Sequence, residues 1–186
     1  WLVKNFNNVE AHTINLDELF LAFSSSLSKF DNEHGMANSR ARLRMTTLYQ
    51  VAAANKGIVV GTGNKVEDFG VGFYTKYGDG GVDLSPIADL MKSEVYKLGE
   101  LLQVPESIMN AAPSDGLFGD ARSDEDQIGA SYPELEWAMQ MKDEGKTIAD
   151  FEGREQKVFE IFMRFNSSNM HKMTPIPVCE IPKNLK

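Results

Sequence analysis

The sequence has 186 residues, of which 42% are hydrophobic and 25% charged, a composition typical of a globular domain with a sizeable core. Its 27 acidic and 19 basic residues give a net charge of −8, which argues against a general nucleic-acid or membrane-surface binder and means that an anionic ligand needs locally concentrated cations. The single cysteine, Cys179, excludes an internal disulfide and fits a reducing cytoplasm, and no apolar run reaches membrane-spanning length.

The first 36 residues predict scaffold elements. Residues 1–14 have the pattern of a helix end followed by a short strand at 10–14. Asn15 and Asp17 are both suitable caps for the next helix, whose apolar residues recur at spacings of three and four and predict one buried face. Residues 31–36 are polar, contain a glycine and predict a loop. The apolar face consists of Leu19, Phe20, Phe23, Leu27 and Phe30.

Residues 38–54 predict the clearest helix of the chain, with small and apolar residues forming a buried stripe. Arg42 lies close to this stripe, so its guanidinium needs an anionic partner, because burial of an unpaired charge is costly. The residues alone favour a structural ion pair for Arg42. Arg40 and Arg44 lie on another face and are predicted to be solvated. The stripe consists of Ala41, Met45, Leu48 and Ala52.

A β-branched run at 58–60 predicts a buried parallel strand, and the glycine-rich residues 61–86 follow it. Ligands of open α/β sheets bind beyond the carboxyl ends of the strands, and glycine allows the backbone to approach them closely. We therefore expect the floor of a binding site here. Thr62 can offer a hydroxyl to a phosphate or ribose. Glu67 falls in the first turn of a predicted helix, where a carboxylate is also favourable without a ligand.

Two of the lysines that follow this strand are candidates for binding an anion. Lys76 precedes a glycine-rich turn that brings it close to Asp79 and Asp83, although an ordinary surface turn explains these residues equally well. Lys92 falls near the N-terminal end of a helix predicted within 86–104, where a cation opposes the helix dipole. Contact with a bound phosphate would relieve this opposition. A flexible lysine in water is the alternative.

The last third of the chain begins with one long irregular run at residues 111–131. Runs of this length inside a compact domain are usually functional lids or disordered segments, so a mobile lid is predicted. Helices are predicted at 132–141 and 154–165, and His171 and Lys172 then fall in a polar segment. The apolar side of the second helix consists of Val158, Phe159, Ile161, Phe162 and Phe165. Residues 175–186 contain three prolines and predict an extended tail. The predicted hinges of the lid are Gly116, Gly119 and Gly129.

Four sequence blocks occur in the order found in one enzyme family. They read NSRARLRMTTLY, GTGNKVEDFGVGFYTKYGDGGVDLSPIADLMKSEVY, PSDGLFGDARSDEDQIG and, near the end, MHK. Together they resemble the NAD synthetase family, from about residue 38 to residue 172, and four ordered blocks are a far more specific signal than one glycine motif. The resemblance implies a Rossmann-like α/β fold of the adenine nucleotide alpha-hydrolase type, with a parallel sheet flanked by helices. It also implies a cytoplasmic homodimer whose substrate site crosses the dimer interface.

The reaction implied by the resemblance is the ATP-dependent amidation of nicotinic acid adenine dinucleotide (deamido-NAD), with Mg²⁺ and with ammonia or glutamine as nitrogen source. Glu67 would then bind magnesium. The roles of Asp68 and Asp79 stay open, because the segment between Glu67 and Lys76 is one residue longer than in some members. The implied ATP contacts are Thr62, Lys92 and Ser114, and the implied deamido-NAD contacts are Asn38, Arg42, Lys76, Asp83, His171 and Lys172.

One part of the family pattern is missing from these 186 residues. Such enzymes hold the ATP pyrophosphate on an SGGxDS loop after the first strand, where backbone N–H groups at a helix N-terminus bind the anion. No such segment occurs in the sequence. We therefore expect a single domain that is incomplete at its N-terminal side and inactive alone. Another ATP-pyrophosphatase ligase, such as a GMP synthetase-like enzyme, and a catalytically dead nucleotide-binding relative are the alternatives.

Overall fold

The computed structural model describes residues 1–114, 116–118 and 123–186, which are mainly helical. In this part of the chain, no helix is long and apolar enough to cross a membrane. The α-helices are α1 (Leu2–Asn5), α2 (Asp17–Ser26), α3 (Glu33–Ala54), α4 (Lys92–Leu101), α5 (Glu106–Met109), α6 (Asp124–Ile128), α7 (Tyr132–Asp143) and α8 (Gly153–Met173). A π-helix at Val66–Val71 and 3₁₀ turns at Ser28–Phe30, Ile148–Asp150 and Lys183–Leu185 complete the described elements.

The core is formed by the π-helix, α7 and α8. Phe162 and Leu135 are fully buried, and the aromatic ring of Phe151 packs against Phe159 with ring centroids 5.1 Å apart. The predicted apolar face of the last helix is confirmed, because residues spaced three and four apart on α8 point into this core. The buried cluster consists of Val66, Val71, Ile128, Ala130, Tyr132, Leu135, Ala138, Met139, Val158, Phe159 and Phe162.

The segment with the extra residue forms a π-helix rather than the first turn of an α-helix. Phe73 donates its backbone N–H to the carbonyl of Glu67 at 2.9 Å, and the helix ends at Gly72 with φ 60°. Single-turn π-helices occur frequently at functional sites. A wider turn is one way for a chain to accommodate one additional residue while both flanking segments keep their places.

Helix α8 supports the carbonyl end of the π-helix with three side chains. Asn166 donates to the carbonyl of Gly70 at 2.7 Å and Asn169 to that of Val71 at 2.8 Å. Lys172 donates to the carbonyls of Gly72 and Tyr74 at 2.8 and 2.7 Å. These contacts satisfy carbonyls that a helix end leaves without backbone partners. The predicted polar segment after residue 165 is therefore wrong, since α8 continues to Met173 and carries Lys172 in its last turn.

A parallel sheet is not formed by the described residues. They contain one isolated parallel bridge, between Val60 and Leu84, with the N–H of Gly61 bonded to the carbonyl of Leu84 at 2.7 Å. The predicted strand at 58–60 is thus reduced to its pairing with 83–84, and the strand predicted at 10–14 is absent from the assigned elements. A strand needs a neighbour for its backbone groups, and 58–60 has one on a single side in this part of the chain.

Helix α3 begins earlier than predicted and exposes residues that were expected to be buried. Asn32 caps it by accepting from the N–H of Gly35 at 2.8 Å, so the predicted loop at 31–36 is wrong. Ala41 is buried as predicted, but Leu48 is 56% exposed. Arg42 is also exposed, and it bonds a backbone carbonyl rather than a carboxylate. The buried side of α3 is therefore narrower than the predicted stripe.

The predicted lid at 111–131 is only partly irregular, because it contains α6. Ser123 caps this helix by accepting from the N–H of Asp126 at 3.1 Å. Gly116 and Gly129 have φ angles of 59° and 87°, which suits them to sharp changes of direction. The third predicted hinge, Gly119, lies outside the described residues.

Lowering the pH should weaken the contact between α7 and α8. Glu134 accepts two bonds from Arg154, at 2.7 and 2.6 Å, and this pairing lowers the pKa of Glu134 to about 2. A carboxyl group whose pKa is lowered by folding stabilises the fold at pH values above its ordinary pKa. This stability is lost as the pH falls from about 4.5 towards about 2. We expect a loss of roughly 1 kcal/mol, because both side chains are partly exposed.

Urea unfolding across this pH range checks the prediction, with Glu134→Gln as the comparison. The variant should lose less stability than the wild type on acidification. Equal pH dependence in the two proteins would contradict it.

Candidate functional site

The residues predicted to contact ATP and metal line one cavity of about 490 Å³. Thr62 enters it from the end of 58–60, Glu67 from the π-helix and Lys92 from the first position of α4. Ser114 also lines the cavity, together with Pro113 and with Leu117 and Phe118 of the predicted lid. Asn38 and Lys172, two of the residues predicted to contact deamido-NAD, also line this cavity.

Glu67 and Lys92 form an ion pair inside this cavity. The Nζ of Lys92 lies 2.8 Å from Oε1 of Glu67, and the two side chains are only 19% and 17% exposed. This contact explains how a lysine is tolerated at the start of α4, where it opposes the helix dipole. The Glu67 carboxylate thus stabilises the charge of Lys92 in the way that was predicted for a bound phosphate.

Tyr132 joins Glu67 to a second acid. Its hydroxyl donates to Oε1 of Glu67 at 2.6 Å and also lies 3.1 Å from Oδ2 of Asp124. Lys92 lies over the Tyr132 ring, 4.6 Å from its centroid. Burial, together with the charges of Glu67 and Asp124, raises the pKa of Tyr132, so its hydroxyl keeps its proton. Tyr132 and Asp124 were not predicted as site residues, because Tyr132 begins a predicted helix and Asp124 lies within the predicted lid.

Four of the six residues predicted to contact deamido-NAD are not among the cavity's lining residues. Arg42 donates from Nε and from one terminal nitrogen to the carbonyl of Lys76, at 3.3 Å each. Lys76 in turn donates to the carbonyl of His171, which links α3, the glycine-rich turn and α8. Asp83 accepts from the N–H of Val59 at 2.8 Å and from the hydroxyl of Tyr49 at 3.1 Å. These four residues lie on a surface formed by neighbouring elements.

A smaller cavity of about 200 Å³ adjoins the first and shares Tyr74, Asp79 and Lys172 with it. Asp68 lines it, and burial together with the charges of Glu67 and Asp79 raises the pKa of Asp68 to about 6. Burial and the charges of Asp68 and Asp79 raise the pKa of Tyr74 to about 12. A Cβ at Gly63 would lie 2.3 Å from the Asp68 carboxylate oxygens, so a larger residue there would displace the Asp68 side chain.

Arg40 and Arg44 both contact the predicted lid. Arg44 is exposed as predicted, whereas Arg40 is half-buried, so the prediction that Arg40 is solvated is wrong. Arg40 donates to the carbonyl of Leu117 at 2.8 Å and stacks over the ring of Phe20, 4.3 Å from its centroid. Arg44 donates to the carbonyl of Gly116 at 3.3 Å. The contact was not predictable from periodicity, because the lid lies more than 70 residues away along the chain.

Replacing Arg40 by alanine should loosen residues 116–118. The variant loses a charged donor to a backbone carbonyl and the stacking on Phe20, so we expect amide hydrogen exchange at 116–118 to accelerate about tenfold. Mass-spectrometric hydrogen exchange measures this. Arg164→Ala is the matched control, because Arg164 also contacts an aromatic ring, that of Phe165, but on α8. Unchanged exchange at 116–118 in the Arg40 variant would contradict the assignment.

Comparison with known proteins identifies this arrangement. Residues 1–176 match the family model described as NAD synthase. The chain is 46% identical over 143 residues to the NH(3)-dependent NAD(+) synthetase of Alkaliphilus metalliredigens, which covers 76% of this chain and 53% of that protein. It is 38% identical over 160 residues to the protein of the same name from Carboxydothermus hydrogenoformans, covering 84% and 65%.

Among solved structures, the chain is similar to NMN synthetase from Francisella tularensis, with a TM-score of 0.78 and 34% identity over 95% of this chain and 68% of that one. This similarity is consistent with an α/β nucleotide-binding fold, although the described residues form only one parallel bridge. The chain spans about half to two thirds of the length of the two curated relatives named above. The resemblance that the sequence blocks predicted is confirmed: the chain belongs to the NAD synthase family.

Proposed function

We propose that the protein carrying this chain is a C–N ligase that converts deamido-NAD to NAD with ATP and ammonia. One observation carries the proposal: Thr62, Lys92 and Ser114 line a single cavity together with Glu67. These residues come from three separate parts of the chain, and nothing in their local sequence requires them to meet. Family membership and relatives named as NH(3)-dependent enzymes support the same conclusion.

The proposed reaction has two steps. An oxygen of the nicotinate carboxylate attacks the α-phosphorus of ATP, forming an acyl-adenylate and releasing pyrophosphate. Ammonia then attacks the acyl carbon, AMP leaves, and the nitrogen loses one proton to give the amide. Among the residues that line the cavity, none is needed as a covalent nucleophile, so catalysis would rest on orientation and on stabilising charge at phosphate oxygens.

Each cavity residue has a role in this scheme. Lys92 supplies a cation for a phosphate, while the hydroxyls of Thr62 and Ser114 donate to phosphate or ribose oxygens. Lys172 is held by two backbone carbonyls, and its burial lowers its pKa. Its ammonium is therefore fixed at the boundary of the two cavities, where the dinucleotide acceptor would lie. Asn38 accepts from the hydroxyl of Thr75 at 2.6 Å, which fixes its amide group at the rim.

The donor set fits a magnesium ion that arrives with ATP. Magnesium prefers oxygen ligands and usually takes one or two carboxylates together with phosphates and water. Glu67 would hold it, because its carboxylate faces the cavity and already accepts one cation, Lys92. Within the described ranges, no group of three or more acidic, histidine or cysteine side chains forms a protein-only metal cage. Bound there, the ion would neutralise charge on the phosphate oxygens.

We assign Arg42, Lys76, Asp83 and His171 to the dinucleotide acceptor as a second group of contacts. Hydrogen bonds link Arg42, Lys76 and His171 across α3, the glycine-rich turn and α8, and none of the four residues lines the cavity, which suits an acceptor that reaches past one protomer. A homodimer with its acceptor site at the interface would bring these residues into use. Cytoplasmic localisation is part of the same proposal and agrees with the free, exposed Cys179.

The test compares nucleotide binding with turnover. The 186-residue chain should bind Mg–ATP and deamido-NAD in isothermal titration calorimetry, and Thr62→Val should weaken ATP binding about tenfold by removing one donor to a charged group. Thr13→Val is the control, because Thr13 is equally exposed but lies in the N-terminal coil. A longer protein that carries this chain and an SGGxDS segment should form NAD and AMP in equal amounts. Absence of saturable binding to the chain, or of turnover by the longer protein, would refute the proposal.

A mononucleotide acceptor is the second candidate, favoured by the similarity to a protein named NMN synthetase. Turnover with deamido-NAD and with nicotinic acid mononucleotide, measured side by side with ammonium and with glutamine, decides between the acceptors and the nitrogen sources. The proposal requires a higher kcat/KM for the dinucleotide.

A further inference from the structure

The hydroxyl of Tyr132 is shared by two carboxylates. It lies 2.6 Å from Oε1 of Glu67 and 3.1 Å from Oδ2 of Asp124. A hydroxyl carries one proton and can donate it to only one of two ionised carboxylates at a time. The shorter distance indicates that the Tyr132 hydroxyl donates its proton to Glu67. The ring of Tyr132 is packed in the core and only 4% exposed, so the oxygen cannot move away from this position.

Asp124 connects this hydroxyl to the segment that carries Ser114. Asp124 is the first residue of α6, and its backbone N–H donates to the carbonyl of Pro113 at 3.0 Å. Pro113 immediately precedes Ser114, the residue predicted to contact ATP. A continuous series of contacts therefore runs from Glu67 through Tyr132 and Asp124 to Pro113. It joins the predicted metal ligand to the predicted nucleotide ligand across the cavity.

We propose that Tyr132 is a positioning residue that couples cation binding at Glu67 to the placement of Pro113 and Ser114 through Asp124. A cation at Glu67 competes with the hydroxyl for the lone pairs of Oε1. The Tyr132 proton then turns to Oδ2 of Asp124, strengthens that contact and steadies the start of α6. The inference rests on the proposed binding of magnesium by Glu67, but not on the identity of the acceptor or on turnover.

Lys92 and Tyr132 have different roles at Glu67. Lys92 supplies charge from the end of a flexible side chain, whereas Tyr132 is fixed by the core. Partners of this kind orient a metal-binding carboxylate, and their loss typically weakens metal affinity 10- to 100-fold. Because coupling is reciprocal, a nucleotide that orders Ser114 should in turn favour the cation.

The experiment uses Mn²⁺ as the probe and the 186-residue chain. Electron paramagnetic resonance measures Mn²⁺ binding, and hydrogen exchange of peptides covering Pro113, Ser114 and α6 is recorded with and without Mn²⁺. In the wild type, Mn²⁺ should slow exchange of the Asp124 amide. Tyr132→Phe should bind Mn²⁺ about tenfold more weakly and lose this slowing even at saturation. Tyr96→Phe, which removes a hydroxyl from α4, should behave as the wild type.

Asp124→Asn provides a second variant that keeps the Tyr132 ring and therefore the core. It should still bind Mn²⁺ but lose the cation-dependent change at Ser114 and at the start of α6. Wild-type Mn²⁺ affinity in Tyr132→Phe, or a persistent cation-dependent change in either variant, would overturn the inference, as would a wild-type chain that binds no Mn²⁺. Failure of amidation with an intact Mn²⁺ response would remove the proposed function and leave the inference standing.

Discussion

Replacing Gly72 by alanine should lower the free energy of unfolding by about 2–5 kcal/mol. Gly72 ends the π-helix with φ 60°, a left-handed conformation that costs a non-glycine residue about 1–2 kcal/mol. A Cβ there would also lie 2.6 Å from the Cβ of Asn169. That atom is fixed to α8, so the clash must move the helix or the turn, and overpacking of this kind typically costs about 1–3 kcal/mol.

Gly145→Ala is the matched control for this prediction. Gly145 has φ 78°, but a Cβ there would meet nothing within 4 Å. The control should therefore lose only the backbone part, about 1–2 kcal/mol. Urea unfolding monitored by circular dichroism measures both variants. If they lose equal stability, the close approach of α8 to the turn is not what requires glycine at position 72.

The presence of the helices was more predictable than the positions of their ends, and α8 shows the reason. Apolar spacing reports which face is buried, so α8 was recognised from its phenylalanines. After residue 165 the inward face carries Asn166, Asn169 and Lys172, which bond the carbonyls of the π-helix instead of packing against apolar atoms. A polar residue that serves a buried carbonyl has the same sequence signature as one that faces water.

Local sequence also singled out residues that meet in the main cavity, but not the residues that organise it. Thr62 and Glu67 follow the 58–60 segment directly, and Lys92 was singled out because its charge opposes a helix dipole. Tyr132 is separated from Glu67 by 65 residues, and its sequence context predicts only the start of a helix. Its role depends on α7 packing beside the π-helix, a tertiary contact that periodicity does not specify.

Removing one charge of the Glu67–Lys92 pair should cost more than removing both. Glu67→Gln leaves a largely enclosed ammonium without its carboxylate, and breaking such a pair typically costs about 3–5 kcal/mol. Here we expect about 3 kcal/mol, since neither side chain is completely enclosed. Glu67→Gln with Lys92→Met should recover most of this loss, because neutral groups of similar volume avoid the desolvation cost.

The exposed pair between Lys65 and Asp89 gives the comparison. Its distance is 3.0 Å, close to the 2.8 Å of the enclosed pair, but Asp89 is 97% exposed, so Asp89→Asn should cost less than about 1 kcal/mol. Urea unfolding of these variants tests the difference, and equal losses in Glu67→Gln and Asp89→Asn would contradict it. A double variant that is stable yet fails to bind Mg–ATP would show why the charges are kept. In the proposed site, Lys92 stands where a cation would meet Glu67, and Glu67 stands where a phosphate would meet Lys92.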